Sequence, residues 1–301
     1  MEYIPCNLCG ATDAEVLYPS TLPEDESSHD LRRFRCTTPQ YGLHYTIVRC
    51  RRCGLVYTNP RRQATDILDD YVAVEDPLYI QEREGRVLTF HRNLRPLEEL
   101  SPPGNDRRLL DVGCHVGIFV EIAQERGWEA WGVEPSRWAA EEGRKRGLRI
   151  VTGTLAEAAF PVDFFDVVTM WDVIEHLPNP KEELQEVWRV LKPGGLVAIH
   201  TINIESLFAR LMGHRWPWLM EMHLYYFSPR TLGAMLEQTG FHVVHWTNQG
   251  RFLRLGYLVS RFQAYSPLLT RVLTGAVRAL HLEGVAVPVN LGDLFTMFAR
   301  K

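Results

Sequence analysis

No run of eighteen apolar residues occurs in the 301-residue chain, so the sequence holds nothing that would cross a bilayer as a helix. The opening Met1-Glu2-Tyr3-Ile4-Pro5 lacks the basic and apolar regions of a secretory leader. The expected compartment is therefore the cytoplasm, where thiols stay reduced. Basic charge is not in excess: 33 Lys and Arg stand against 37 Asp and Glu, a formal net charge of -4. The surface as a whole does not suit a nucleic acid. Compositional bias is missing too. With 46% apolar and 23% charged residues, disorder and collagen-like repeats are excluded. No Gly-Lys-Ser/Thr occurs, so no phosphate-cradling P-loop is present. The length suggests two domains, or one large domain with an appendage, and a core that needs no disulfides.

What the chain does have is six cysteines, four of them in two matching patterns. These are Cys6-Asn7-Leu8-Cys9-Gly10 and Cys50-Arg51-Arg52-Cys53-Gly54. Two residues between cysteines, with glycine after the second, describe a knuckle that aims both sulfurs at one point. Two knuckles supply four thiolates, enough for a closed tetrahedral structural zinc site. The competing readings are a redox dithiol and two ordinary reduced pairs. Cys36 reads as a buried, small apolar residue that could replace a ligand. Residues 1–75 thus form a small zinc-binding domain, with a mobile loop expected in the acidic, Ser- and Pro-bearing stretch 19–40. The pairs Arg32-Arg33, Arg51-Arg52 and Arg61-Arg62 read as a solvated face. Residues 76–105 form a helical linker or lid.

From residue 106 the texture becomes strands alternating with helices, which means a parallel sheet covered on both faces. Strands are expected at Arg108–Val112, Trp128–Val133, Leu148–Val151, Phe165–Met170 and Leu196–Thr201. Helices fall at 117–126, 137–146 and 180–191, the last closed by Lys192-Pro193-Gly194-Gly195. Such sheets bind ligands at the carboxyl ends of their strands. The turn Asp111-Val112-Gly113-Cys114-His115-Val116-Gly117 sets two glycines at a strand-to-helix junction, where a ligand can lie against the backbone. Glu134 closes the second strand, where a carboxylate can accept both hydroxyls of a ribose. His115 and Ile118 stand where a dinucleotide fingerprint needs glycine, which disfavours nicotinamide or flavin.

These strings resemble the class I S-adenosylmethionine (SAM)-dependent methyltransferases over residues 107–248. The match runs through Leu110-Asp111-Val112-Gly113-Cys114, Val133-Glu134-Pro135-Ser136 and Phe165-Asp166-Val167-Val168. It continues in Asp172-Val173-Ile174-Glu175-His176-Leu177 and Arg189-Val190-Leu191-Lys192-Pro193-Gly194-Gly195. The branch is similar to ubiquinone-type O-methyltransferases and to sugar methyltransferases carrying an N-terminal zinc-binding domain. The resemblance implies a Rossmann-like α/β fold with a seven-stranded sheet, its last strand antiparallel. Phe241–Trp246 fits the sixth strand and Leu294–Ala299 the seventh. It implies Asp111 and Gly113 beside the methionine moiety of SAM, Gly117 starting the helix behind it, Glu134 at the ribose, and Cys114 and Pro135 with Gly117 among the cofactor-binding residues. Thr154 and Leu155 border the adenine, and Trp171 and Asp172 line the donor methyl. One departure is His115, which stands where the family usually has a small residue.

Methyl transfer from a sulfonium is an in-line displacement, so the protein mainly aligns the acceptor. A base helps when the acceptor is a hydroxyl or an acidic carbon, and His223 and His176 are the candidates. His200 reads as core or rim packing. Two insertions interrupt the domain that spans 106–301. The first, 203–226, holds Phe208, Met212, Trp216, Trp218, Tyr225 and Tyr226 and reads as a lid. The second, 251–290, carries Arg251, Arg254, Arg261, Arg271 and Arg278, with no acid across 251–282. That pattern fits peripheral membrane contact, a cover for the lid or a homodimer contact. The resulting expectation is methylation of a small-molecule acceptor (a sugar, glycan or secondary metabolite), at oxygen first and carbon second. The alternatives are an RNA methyltransferase and a binding protein that has lost turnover.

Overall fold

The computed structural model describes residues 1–23, 30–101 and 107–301. The centre of the expected mobile loop, residues 24–29, lies outside the described residues. The chain opens with three antiparallel strands, β1 (Ala14–Tyr18), β2 (Ile47–Cys50) and β3 (Val56–Thr58). A fourth strand comes from far along the chain, since Tyr57 pairs with Tyr225 and Val56 with Tyr226. Helices α1 (Ala64–Ala73), α2 (Pro77–Gln81) and α3 (Arg83–Leu100) then lead to the main sheet.

That sheet begins β4 (Arg108–Val112), α4 (Ile118–Glu125), β5 (Glu129–Glu134), α5 (Arg137–Arg144) and β6 (Ile150–Thr152). After the short α6 (Leu155–Ala158) come β7 (Phe165–Trp171), α7 (Pro180–Val190) and β8 (Leu191–Ile202). Helix α8 (Leu207–Met212) and strand β9 (Tyr225–Tyr226) fill the first insertion, followed by α9 (Pro229–Gln238) and β10 (His242–Asn248). The second insertion holds β11 (Arg251–Arg254), α10 (Leu255–Ser260), α11 (Pro267–Ala279) and β12 (Ala286–Val289), and β13 (Leu294–Arg300) ends the chain. The seven strands lie in the order β10-β13-β8-β7-β4-β5-β6. Strand β13 runs antiparallel to both neighbours, whereas β6, β5, β4, β7 and β8 are parallel. The expected Rossmann-like sheet with a reversed last strand is what the chain forms.

Local chemistry explains the alternation. Helix α4 starts from Gly117 in the left-handed region and buries Ile118, Phe119, Val120, Ile122 and Ala123. Helix α5 is capped by the Ser136 side chain, and α6 by a Thr154–Glu157 capping box. Lys192-Pro193-Gly194-Gly195 differs from its expected role of closing a helix ahead of the strand. Strand β8 already starts at Leu191, which pairs with Phe165, and Leu196 pairs with Val167, so the four residues bulge out between them. Burial of both leucines holds the pleat on either side of the bulge.

The two faces of the sheet carry separate apolar cores. One joins Leu109, Phe119, Ala139 and Leu97 under α3, α4 and α5. The other runs from Val112, Met170, Leu184 and Met235 directly into Cys6, Leu8, Leu55 and Tyr57. The cysteine-bearing segment therefore shares its core with the main sheet.

Arg32, Arg51 and Arg52 lie on the solvated face expected of them, whereas their neighbours depart from it. Arg61 is buried and donates to the Pro178 carbonyl and to Glu2. Arg62 pairs with Asp70, and Arg33 with Glu221. In the second insertion Arg251, Arg254 and Arg261 turn inward, to Asp172, to Glu82 and to the carbonyls of Thr37 and Thr38. Leu268, Leu269 and Val272 of α11 remain exposed. Among the described residues, no helix is long and apolar enough to cross a membrane.

Candidate active site

Parallel strands deliver their carboxyl ends to one edge, and there the first strand's two neighbours diverge: β5 on one side, β7 on the other. A cavity of about 1120 Å³ opens at this edge. Gly113, His115, Glu134, Pro135, Thr154, Leu155, Trp171, Asp172, His176 and His223 all line it. Gly113 shows why the turn is tight. Its φ is +67°, and a Cβ there would sit 2.6 Å from a methyl of Val173.

Asp111 and Cys114, expected at the cofactor, do not line this cavity, and Gly117 starts the helix behind the turn as expected. The Asp111 carboxylate accepts from the Thr169 hydroxyl at 2.7 Å, inside the sheet. The Cys114 sulfur packs against Gly132, and Gly117 faces Leu148 and Ile150. Their sequence signal is real, but it reports the shape of the turn rather than a surface of the cavity.

Glu134 is held by two backbone donors: the N–H of His115 reaches one oxygen and that of Ser136 the other, each at 2.8 Å. Burial still pushes its carboxyl up to about 7. Burial likewise carries Asp111 to about 8, against the Thr169 hydrogen bond. His115 does not project across the cleft. Its ring stacks on Tyr79 at 3.7 Å, and the Arg86 guanidinium lies 3.5 Å from the same Tyr79 ring. Burial, with Arg86 nearby, lowers the His115 imidazole to about 3. Among the described residues none pairs with Nδ1 of His115, Nε of Arg86 or Nε1 of Trp171, although all three atoms are buried. Buried polar atoms are normally satisfied, so orphans along a cavity mark where a polar ligand would bind.

At the other end, Nδ1 of His176 lies 3.0 Å from the Met222 carbonyl oxygen and 2.9 Å from the Tyr71 hydroxyl. Nδ1 of His223 lies 2.7 Å from the Trp218 carbonyl oxygen. A carbonyl only accepts, so both Nδ1 atoms carry the proton and both Nε2 atoms keep their lone pairs. The two rings stand 4.7 Å apart, centre to centre. Burial lowers both imidazoles, His223 to about 3 with His176 adding to the effect. Glu175, behind them, accepts from the Thr201 hydroxyl at 2.8 Å and is pushed up to about 8 by burial and by Asp172. His200 packs at the rim, with Nδ1 2.9 Å from the Thr296 hydroxyl and Nε2 3.6 Å from Asp172. Phe208, Met212 and Trp218 of the first insertion line the cavity, while Trp216, Tyr225 and Tyr226 are buried in the core.

The four knuckle sulfurs converge, with Cys6 3.4 Å from Cys53 and Cys9 3.5 Å from Cys50, and all four within 4.8 Å of one another. Tetrahedral zinc–thiolate geometry sets sulfurs about 3.8 Å apart, so the set fits that ion. Gly10 and Gly54 each donate back to the first cysteine's carbonyl from a left-handed conformation, as the knuckle reading requires. Cys36 stands apart from the four and opens into the cavity, where the sequence suggested apolar packing. Sequence reasoning also missed Tyr71, Tyr79, Arg86 and Arg251. Tyr71 sits in α1 at the end of the cysteine-bearing segment, Tyr79 and Arg86 in the linker helices and Arg251 in an insertion, with no motif around them. The acid-free run of arginines was the one available signal, and it pointed outward.

A family model described as a methyltransferase domain matches residues 83–246. The chain is similar to the ubiquinone biosynthesis O-methyltransferase of Azoarcus sp. (strain BH72), 33% identical over 126 residues, which is 36% of this chain and 54% of that protein. It is also similar to the protein of the same name from Aeromonas salmonicida (strain A449), 28% identical over 193 residues, 54% of this chain and 81% of that one. The chain thus spans about half the length of the first curated relatives it matches. Among solved structures, a SAM-dependent methyltransferase from Archaeoglobus fulgidus shares the fold, with a TM-score of 0.51 and 23% identity over 75% of this chain and 100% of that one. With more than half of its residues under the family model and the seven-stranded sheet in place, the chain belongs to the class I SAM-dependent methyltransferase family.

Proposed function

We propose that the protein transfers a methyl group from SAM to an oxygen of a small-molecule acceptor. The observation that carries this reading is one continuous cavity with Glu134 near one end and two imidazole lone pairs at the other. SAM, when bound, supplies the activated methyl on its sulfonium. Glu134 takes the ribose hydroxyls, Pro135, Thr154 and Leu155 border the adenine, and Gly113 leaves room for the methionine end. The unpaired Nε of Arg86 suits the cofactor's carboxylate. Trp171 and Asp172 flank the transfer point. Asp172 is oriented by Arg251, 3.1 Å away.

The acceptor then lies against Trp218, Met222 and Phe208, with its hydroxyl at His223 and His176. An apolar wall holding a few polar groups suits a compact acceptor with a flat or apolar face. A sugar, glycan end or secondary metabolite answers that description, and carbon replaces oxygen where the acceptor carbon is acidic. The four knuckle thiolates of Cys6, Cys9, Cys50 and Cys53 hold a structural zinc. The test is calorimetry with S-adenosylhomocysteine, followed by release of that product from SAM in the presence of candidate hydroxylated acceptors. Micromolar binding, abolished in Glu134→Ala, is the expected result. No binding at millimolar ligand would sink the reading.

A further inference from the structure

We propose that Glu175, His176 and His223 form a second metal site, one that holds a divalent transition ion at the acceptor end of the cavity. One ligand atom from each of the three lies within 4.8 Å of the other two. They line the same cavity, so an ion there would face an incoming ligand rather than the core.

The surroundings are those of a prepared site. Each imidazole gives its Nδ1–H to a main-chain carbonyl, His176 to Met222 and His223 to Trp218. This fixes each ring's orientation and leaves Nε2 as the donor atom, the arrangement that outer-shell carbonyls impose on metal-bound histidines. Among the described residues neither Nε2 has a hydrogen-bond partner. The Glu175 carboxylate is steadied by the Thr201 hydroxyl at 2.8 Å, and the Leu224 N–H donates to the Glu175 carbonyl at 2.8 Å, which binds the His223 segment to the other two ligands. Two imidazoles and one carboxylate favour zinc, iron(II), manganese or cobalt over calcium or magnesium. Three protein ligands leave coordination positions open toward the cavity, unlike the closed set of four cysteines.

The consequence for methyl transfer rests on the function proposed above: an acceptor oxygen fills an open position, loses its proton to water more readily, and is fixed in line with the donor. The site itself does not depend on that reading, and its test is a binding measurement. The full chain, with zinc in its cysteine site, is equilibrated with cobalt(II) and desalted. About one cobalt per chain is expected, with weak visible bands and no thiolate charge-transfer absorption. His176→Gln and His223→Gln should each weaken cobalt binding about tenfold or more while retaining the zinc. Should either variant fail to fold, the wild-type proton spectrum decides: two hyperfine-shifted imidazole N–H signals that vanish in deuterated water are expected. Cobalt seen only as thiolate complex, or equal uptake by wild type and folded variants, overturns the site. S-adenosylhomocysteine calorimetry on the same samples reports separately on the cofactor end.

Discussion

Between pH 8 and pH 6 the affinity for S-adenosylhomocysteine should fall about tenfold, and Glu134 is the cause. Burial raises its carboxyl to about 7 in the free protein, even though two backbone N–H groups already favour the ionised form. Ribose hydroxyls bind the carboxylate better than the acid, so ligand and proton compete. At pH 8 the group is ionised and there is little competition. At pH 6 most of it is protonated, and each unit below the pKa costs about a factor of ten. At pH 7 binding should therefore release about half a proton, which calorimetry in buffers of different ionisation enthalpy reads directly. Glu134→Gln should bind about ten- to a hundredfold more weakly at pH 8, the loss of a charged acceptor being about 1.5–3 kcal/mol. It should also lose the proton release, which separates Glu134 from Asp111, raised to about 8 close by. Wild-type affinity that stays flat from pH 8 to pH 6, or equal proton release in the variant, would refute the assignment.

The fold itself should respond to pH in another window. Above pH 7 the buried histidines are neutral in both states, while Asp111 and Glu175, each raised to about 8, keep protons that the unfolded chain has lost. Stability of the ligand-free protein should therefore fall as pH rises from 7 to 8.5, and Asp111→Asn should flatten the slope of its melting temperature. An unchanged slope would remove Asp111 from the account. Gly113→Ala places a Cβ 2.6 Å from Val173 in a left-handed backbone, and denaturant unfolding should show a loss of about 1–2 kcal/mol or more. Wild-type stability there would mean the turn relaxes freely. Stripping the proposed zinc from the four cysteines should speed hydrogen exchange at residues 222–228 as well as in the knuckles. Thr58 bonds to Leu224 and His223 through its N–H and hydroxyl. Exchange confined to the knuckles would show that the two regions are uncoupled.

The sheet was legible because its elements carry their own punctuation. Runs such as Leu109-Leu110 and Val167-Val168 are buried on both faces, and Gly113, Gly127 and Gly147 end the elements before them. The site was legible where chemistry and turn geometry coincide, at Gly113, Glu134 and Asp172. It was not legible at Tyr79 and Arg86, which reach His115 from the linker helices, so no spacing in the chain announces that stack. The four-residue bulge in β8 was misplaced for a related reason. Lys192-Pro193-Gly194-Gly195 is a strong local turn signal, but pairing of Leu191 with Phe165 extends the ladder past it. Asp111, Cys114 and Gly117 show the reverse case: residues of a string diagnostic of the family need not line the cavity it borders.

The knuckle segment gains a role from this geometry that the word structural understates. Its residues build one wall of the end proposed for the acceptor: Tyr71 meets His176, Thr58 holds the His223 carbonyl, and Phe34 and Tyr41 line the cavity. The second insertion closes over the same place, with Arg261 donating to the carbonyls of Thr37 and Thr38. The proposed cofactor end, built on the sheet edge with Tyr79 and Arg86 of the linker helices beside it, thus faces a proposed acceptor end assembled from stretches far apart in the chain. On that proposal, selectivity for the acceptor is expected of the assembled end. Substitutions at Phe34 or Tyr41 should consequently change which acceptor is methylated while leaving S-adenosylhomocysteine affinity within about twofold. Comparing product formation across a panel of hydroxylated acceptors, with calorimetry on each variant, separates the two ends. A variant at these positions that loses cofactor affinity and acceptor turnover in parallel would show that the ends are not independent.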